Sequence, residues 1–265
     1  MQKLAGLTNE VYLIDDEVYK ISKPINDLYL DKNNEANVLL CFLTLDQNIL
    51  VKPSSFFFED NQLHSKFPYL SEYQSLEILP LNKAIVIKVC EIIDAFHKLN
   101  FKNAPIKKFD YLQMLEVFEK NISKPLFDYQ QQLTKIKALI SQFTNLDQVI
   151  SHNDLVPGNI LLDKNDNLKL IDYDYICLNN KFFDLASFIT ETCNDNLEMS
   201  HFFVKACLDL NIIHESELNL LNDCIAYQDI LWTLWANYMY EVTKEQLYLE
   251  IAQDKFTRCH KREKF

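Results

Sequence analysis

The chain has 265 residues, 48% of them hydrophobic and 24% charged, and carries a formal net charge of −12. That balance excludes a disordered chain, which lacks the apolar residues to build a core, and argues against nucleic acid as a partner, since that affinity rests on Lys and Arg neutralising phosphates. Only two glycines occur, Gly6 and Gly158, where average usage of about 7% gives roughly 18, so dinucleotide fingerprints, two-glycine phosphate loops and G-x-S-x-G elbows cannot be written.

Residues 11–14 and 17–22 flank Asp15-Asp16 and predict a hairpin. Residues 29–45 follow with a helical period carried by Leu30, Val38, Leu39, Phe42 and Leu43. The runs 54–58 and 63–67 surround Glu59-Asp60-Asn61-Gln62 and predict a second hairpin. Helices are expected over 82–99, 109–121 and 126–143. Short strands around Asn/Asp turns interrupt the series between 148 and 172, and helices resume over 182–193, 198–210, 215–240 and 243–258. The expected fold is therefore α+β and bilobal. A small antiparallel β-sheet lobe spans 1–70, and a larger, mainly helical lobe spans 71–265.

Seven scattered cysteines without a C-x-x-C pair read as reduced thiols, so a cytoplasmic location is expected. The first residues lack a basic region followed by an apolar stretch, so no signal peptide is expected. No run of about 18 apolar residues is present, so no membrane span is expected either.

The chemistry concentrates in 151–174, SHNDLVPGNILLDKNDNLKLIDYD. Phosphoryl transfer from ATP needs a carboxylate to accept the acceptor's hydroxyl proton, oxygen ligands for Mg²⁺ on the phosphates, and a cation against the developing charge. In the protein-kinase pattern the base Asp precedes a metal-binding Asn by five residues, and a second metal-binding Asp follows on a hairpin. Asp154 and Asn159 have that spacing, with His152 ahead of them, and Asp172 ends the apolar run Leu168-Leu170-Ile171. Hard oxygen ligands of this kind suit Mg²⁺.

HNDLVPGNIL, then LIDYDY, then FDLASFITE, resembles the choline/ethanolamine kinase family, which shares a protein-kinase-like fold with the aminoglycoside phosphotransferases. The resemblance implies Asp154 as catalytic base, Asn159 and Asp172 as Mg²⁺ ligands, and His152 and Asp184 as supports of the catalytic loop. Gly158 is expected to allow a tight approach that a Cβ opposes. LAGLTNEVYLI is similar to the family's phosphate loop, with Ala5 in place of one glycine. It implies ATP-phosphate contacts from Gly6, Thr8 and Asn9. Lys20 on the next strand is placed for the phosphates, with Glu35 as its partner. Phe67 and Tyr69 fall where adenine is expected.

At the acceptor end, Trp232 and Trp235 share a helix face. Aromatic faces recognise quaternary ammonium ions, and the resemblance places this pair, with Tyr175 and Glu191, around choline. Ile251 stands where the family has a tyrosine, for which Tyr248 or Tyr238 can compensate. The expected activity is ATP- and Mg²⁺-dependent choline kinase. Ethanolamine, thiamine or an aminoglycoside stay open as acceptors, and a non-catalytic binding module is the rival from another class.

Overall fold

A computed structural model of the chain describes residues 1–4, 6–101, 104–194 and 196–265; Ala5 lies outside the described residues. These fall into two compact units, Met1–Lys108 with Ile150–Leu178 and Phe109–Val149 with Asn179–Phe265. The boundary expected near residue 70 is where the N-terminal sheet ends, whereas the first compact unit continues to Lys108 and takes in Ile150–Leu178.

The first unit opens with β1 (Gln2–Leu4), β2 (Asn9–Ile14) and β3 (Glu17–Ser22). Helix α1 (Lys32–Thr44) separates these from β4 (Ser55–Glu59) and β5 (Gln62–Pro68). The five strands form one antiparallel sheet in the order β1-β2-β3-β5-β4. Both hairpin turns are two-residue loops with positive φ at each central position: 48° and 61° at Asp15-Asp16, 47° and 61° at Asp60-Asn61. That is the turn whose twist matches paired strands, and Asn and Asp tolerate it. Asp31 caps α1, accepting from the Asn33 and Asn34 amides, a contact worth about 1 kcal/mol. Glu35, Val38, Leu39 and Phe42 form the buried stripe of α1 at positions i, i+3, i+4 and i+7. Leu43, expected in that stripe, is exposed, because it falls one position round the helix.

Beyond the sheet lie β6 (Tyr73–Ser75) and α2 (Lys83–His97), capped by Asn82. The stretch read as strands around turns is β7 (Val149–Ser151), β8 (Ile160–Asp163), β9 (Leu168–Leu170) and β10 (Cys177–Asn179). Strand β8 is central to a three-stranded sheet, β6-β8-β9, and β7 pairs with β10. Val86, Val89, Phe96, Leu155 and Ile160 are fully buried in this unit.

The second unit is helical: α3 (Tyr111–Asn121), α4 (Gln130–Thr144), α5 (Phe182–Ser187), α6 (Leu197–Asp209), α7 (Leu218–Thr243) and α8 (Gln246–Lys261). A π-helical turn, Phe188–Thr192, continues α5; such turns mark functional sites frequently. Its core gathers the rings of Tyr111, Phe143, Phe183 and Tyr227: Tyr111 stacks on Phe143 with centroids 5.0 Å apart and meets Tyr227 edge to face at 4.8 Å. The Tyr227 hydroxyl donates to the Tyr111 carbonyl at 2.8 Å. The kinase-like α+β fold class read from the sequence is the one observed. Among the described residues no helix is long and apolar enough to cross a membrane. All seven cysteines are free thiols.

Candidate active site

In the first unit one lysine gathers three carboxylates. Lys20 pairs across the sheet with Ser65 and Val11, and its side chain is 9% exposed. Its ammonium lies 3.0 Å from Glu35 Oε1 and 2.6 Å from Asp172 Oδ1, and also meets Asp174 Oδ1. The buried stripe of α1 begins at Glu35, which turns that carboxylate inward. Burial opposes the charge on Lys20, but Asp172, Asp174 and Glu35 outweigh it and hold the ammonium well above its ordinary pKa. Burial pushes Glu35 up despite Lys20. Burial and the Asp174 charge push Asp172 up as well. Asp174 is held below its ordinary range: burial works against this, but Lys20, Thr8 and Asn9 prevail.

The sequence reading missed Asp174. Its Oδ2 accepts from Asn9 Nδ2 at 2.5 Å and from Thr8 Oγ1 at 2.9 Å. The loop donors expected to hold phosphate are thus organised around a carboxylate. The available signal was the D-Y-D spacing, two acids separated by one residue.

Gly6 is constrained by space. A Cβ there would lie 2.8 Å from the Asn9 carbonyl oxygen and 2.9 Å from Val11 Cγ2. Gly158 differs from expectation: its φ is not positive, and a Cβ would meet only Glu77 Oε2, at an ordinary 3.8 Å. The short 3₁₀ turn Pro157–Asn159 uses helical backbone that any residue can adopt. The left-handed positions of 151–174 are Asn153 (φ 63°), Asp166 (φ 62°) and Asp172 (φ 65°) instead.

The loop expected to be catalytic is tied down by polar bonds. Asn153 Nδ2 donates to Ser151 O at 3.0 Å and Tyr175 O at 2.8 Å. His152 is fully buried, and its Nε2 donates to Ile171 O at 3.0 Å. Asn159 Nδ2 donates to both the backbone oxygen and Oδ2 of Asp154, each at 2.9 Å. That orientation turns Asn159 Oδ1, a hard oxygen, away from Asp154. The Ile171 amide donates to Asn159 O at 3.0 Å, which links Asn159 to the residue before Asp172. Among the described residues no group of three or more His, Cys, Asp or Glu could hold a metal by itself. Mg²⁺ is commonly bound through one or two carboxylates plus substrate phosphates, and the Asn159 and Asp172 oxygens fit that chemistry.

Phe67 pairs with Val18 in the sheet and its ring lies 5.8 Å from Tyr173. Tyr69 is exposed, and its amide donates to Asp16 O at 2.9 Å. Tyr175 stacks on Tyr29 with centroids 6.4 Å apart, and burial carries its hydroxyl well above the ordinary pKa.

The remaining expected residues lie in the second unit. Trp232 and Trp235 meet edge to face at 6.1 Å, and Trp235 meets Tyr248 edge to face at 5.5 Å. Tyr248 is therefore the tyrosine that joins the pair; Tyr238 packs on Phe118 at 5.9 Å. Trp235 is 7% exposed, and its indole Nε1 has no hydrogen-bond partner among the described residues. Glu191 sits in the π-helical turn, where Lys255 Nζ lies 2.5 Å from its Oε1. Asp184 is fully buried in α5.

A kinase-like phosphotransferase is the class that the fold and the acidic set around Lys20 define. The model of the choline/ethanolamine kinase family matches residues 5–260, and the chain belongs to that family, whose members are ATP-dependent phosphotransferases. Protein LicA of Haemophilus influenzae is 25% identical over 181 residues, 63% of this chain and 66% of that protein, so the chain spans just under two thirds of that relative. The structure of choline kinase LicA from Streptococcus pneumoniae superposes with a TM-score of 0.77 at 20% identity, over 98% of this chain and 91% of that one. A LicA structure in complex with AMP gives 0.76 at 19% identity, over 98% and 91%.

Proposed function

We propose that the chain transfers the γ-phosphoryl group of ATP to the hydroxyl of choline, giving phosphocholine and ADP. The observation that carries the acceptor is the aromatic corner of Trp232, Trp235 and Tyr248. Such a corner suits a trimethylammonium ion, which makes no hydrogen bonds and is attracted to ring faces. Asp154 accepts the choline hydroxyl proton as the oxygen attacks the γ-phosphorus in line, and the bond to the β-bridging oxygen breaks. Asn159 holds Asp154 in place through its amide. Gly6, Thr8, Asn9 and Lys20 face the phosphates, with Glu35 bracing Lys20, and Phe67 and Tyr69 border the adenine. Asn159 and Asp172 would hold Mg²⁺, which would neutralise phosphate charge when bound. Tyr175 and Glu191 complete the acceptor's set. The LicA–AMP complex supports an adenine nucleotide as the donor.

The deciding experiment measures Mg²⁺-dependent ADP release with choline, ethanolamine, thiamine and kanamycin. Release with choline above the others is the expected result. Release with another acceptor alone would reassign the substrate, and none with any acceptor would favour a binding module.

A further inference from the structure

In the second unit, the carboxylate assigned to the headgroup already has a cation. The Lys255 side chain is 7% exposed and that of Glu191 is 18% exposed, so this ion pair is largely withdrawn from water. The Thr190 hydroxyl donates to the same Glu191 oxygen at 3.0 Å and lies 3.2 Å from Gln228 Oε1. Gln228 stands one helical turn before Trp232 on α7 and donates to Phe183 O at 2.7 Å. Lys255 follows Tyr248 by seven residues on α8, hence on the same helix face. Arg258 donates to Thr190 O at 2.8 Å. The nearby Asp229 is fully buried and bound by Arg262 at 2.7 and 2.9 Å. Both carboxylates of the cluster are thus matched by cations of the chain itself.

We propose that Lys255 sets the class of amine the site accepts. A quaternary ammonium needs ring faces and offers no N–H, so an occupied Glu191 costs it little. A primary ammonium brings three donors that need acceptors, and Oε1 of the carboxylate assigned to it already accepts from Lys255 and Thr190. The pair therefore favours choline over ethanolamine. This inference rests on the reading that Trp232, Trp235 and Glu191 receive the acceptor's cationic headgroup.

The test compares kcat/KM for choline and ethanolamine in the wild type and in Lys255→Met, Lys255→Gln and Lys255→Arg. Trp232 and Trp235 are the only tryptophans, so their fluorescence follows amine binding separately from turnover. Lys255→Met frees a carboxylate oxygen for a charged hydrogen bond, which is worth about tenfold or more. The ethanolamine-to-choline ratio rises by about that factor, through KM rather than kcat, and Lys255→Arg keeps the wild-type ratio. Should Lys255→Met fail to fold, Lys255→Gln, which keeps a neutral donor, shifts the ratio in the same direction. An unchanged ratio in a folded neutral variant, or the same shift in Lys255→Arg, overturns the role of Lys255. If the wild type takes neither amine, the acceptor reading falls and this inference falls with it. If choline is turned over but the ratio does not move, only the inference about Lys255 falls.

Discussion

Substituting the two glycines separately tests which of them the fold needs. In Gly6→Ala the new methyl lies 2.8 Å from the Asn9 carbonyl oxygen and 2.9 Å from Val11 Cγ2, some 0.6 Å or more inside the roughly 3.5 Å optimum for non-bonded atoms. Val11 is β-branched and stiff at χ1. The Asn9 carbonyl belongs to β2, whose Asn9 pairs with Ser22. Relief therefore comes from lifting the start of β2, at the usual overpacking cost of about 1–3 kcal/mol. For a chain of this size that lowers Tm by roughly 2–12 °C. The same shift moves the Asn9 side chain off Asp174, so KM for ATP rises with the loss of stability. Gly158→Ala meets nothing closer than 3.8 Å at a backbone that is not left-handed. It is neutral or stabilising by up to about 1 kcal/mol, because alanine narrows the unfolded ensemble. Calorimetric melts of both variants, paired with ATP titrations of turnover, give the comparison. A Gly6→Ala protein that melts with the wild type and keeps its KM for ATP would refute the reasoning, as would equal losses in the two variants.

Asp154→Ala lowers kcat by about 10²–10⁴-fold, the usual contribution of a positioned base, while ATP binding measured by calorimetry stays near wild type; retained turnover would remove Asp154 from that role. Lys20→Met strips three carboxylates of their common cation and costs about 3 kcal/mol or more, read from urea unfolding, and a midpoint matching the wild type would contradict the burial argument. Trp232→Ala raises KM for choline by about tenfold, within the range of a desolvated cation–π contact, and leaves KM for ATP alone. Equal rises in both would make the tryptophan a core residue.

Local pattern made much of the molecule readable. The hairpins at 15–16 and 60–61 and the long amphipathic helices carry their own signals. So does 151–172, where spacing alone orders an acid, an amide and a second acid. The strands β1, β6 and β10 have three residues each, too few to show alternation, and exist because a partner strand pairs with them. Asp174 went unread because its partners Thr8, Asn9 and Lys20 lie over 150 residues away. Lys255 is 64 residues from Glu191 and reads along the chain as one more surface lysine. Gly158 misled because its neighbourhood in sequence suggested a tightness that the backbone does not have. The compact units are each built from two separate stretches of chain, so no composition change along the sequence could mark them.

Ten residues other than glycine adopt positive φ among the described residues, and nine of them are Asn or Asp. Glycine codons begin GG, and a single G-to-A change at the second base converts two of the four to aspartate; a second change, at the first base, gives asparagine. Mutational drift toward A and T can therefore empty a chain of glycine at its turns without crossing a steric barrier, since each step keeps a side chain that tolerates the left-handed region. That route is closed where the requirement is volume and not dihedral angle, as at Gly6. The two glycines of so depleted a sequence therefore mean different things: at Gly6 a Cβ would force the Asn9 carbonyl or Val11 to shift, whereas at Gly158 it would meet only ordinary contact.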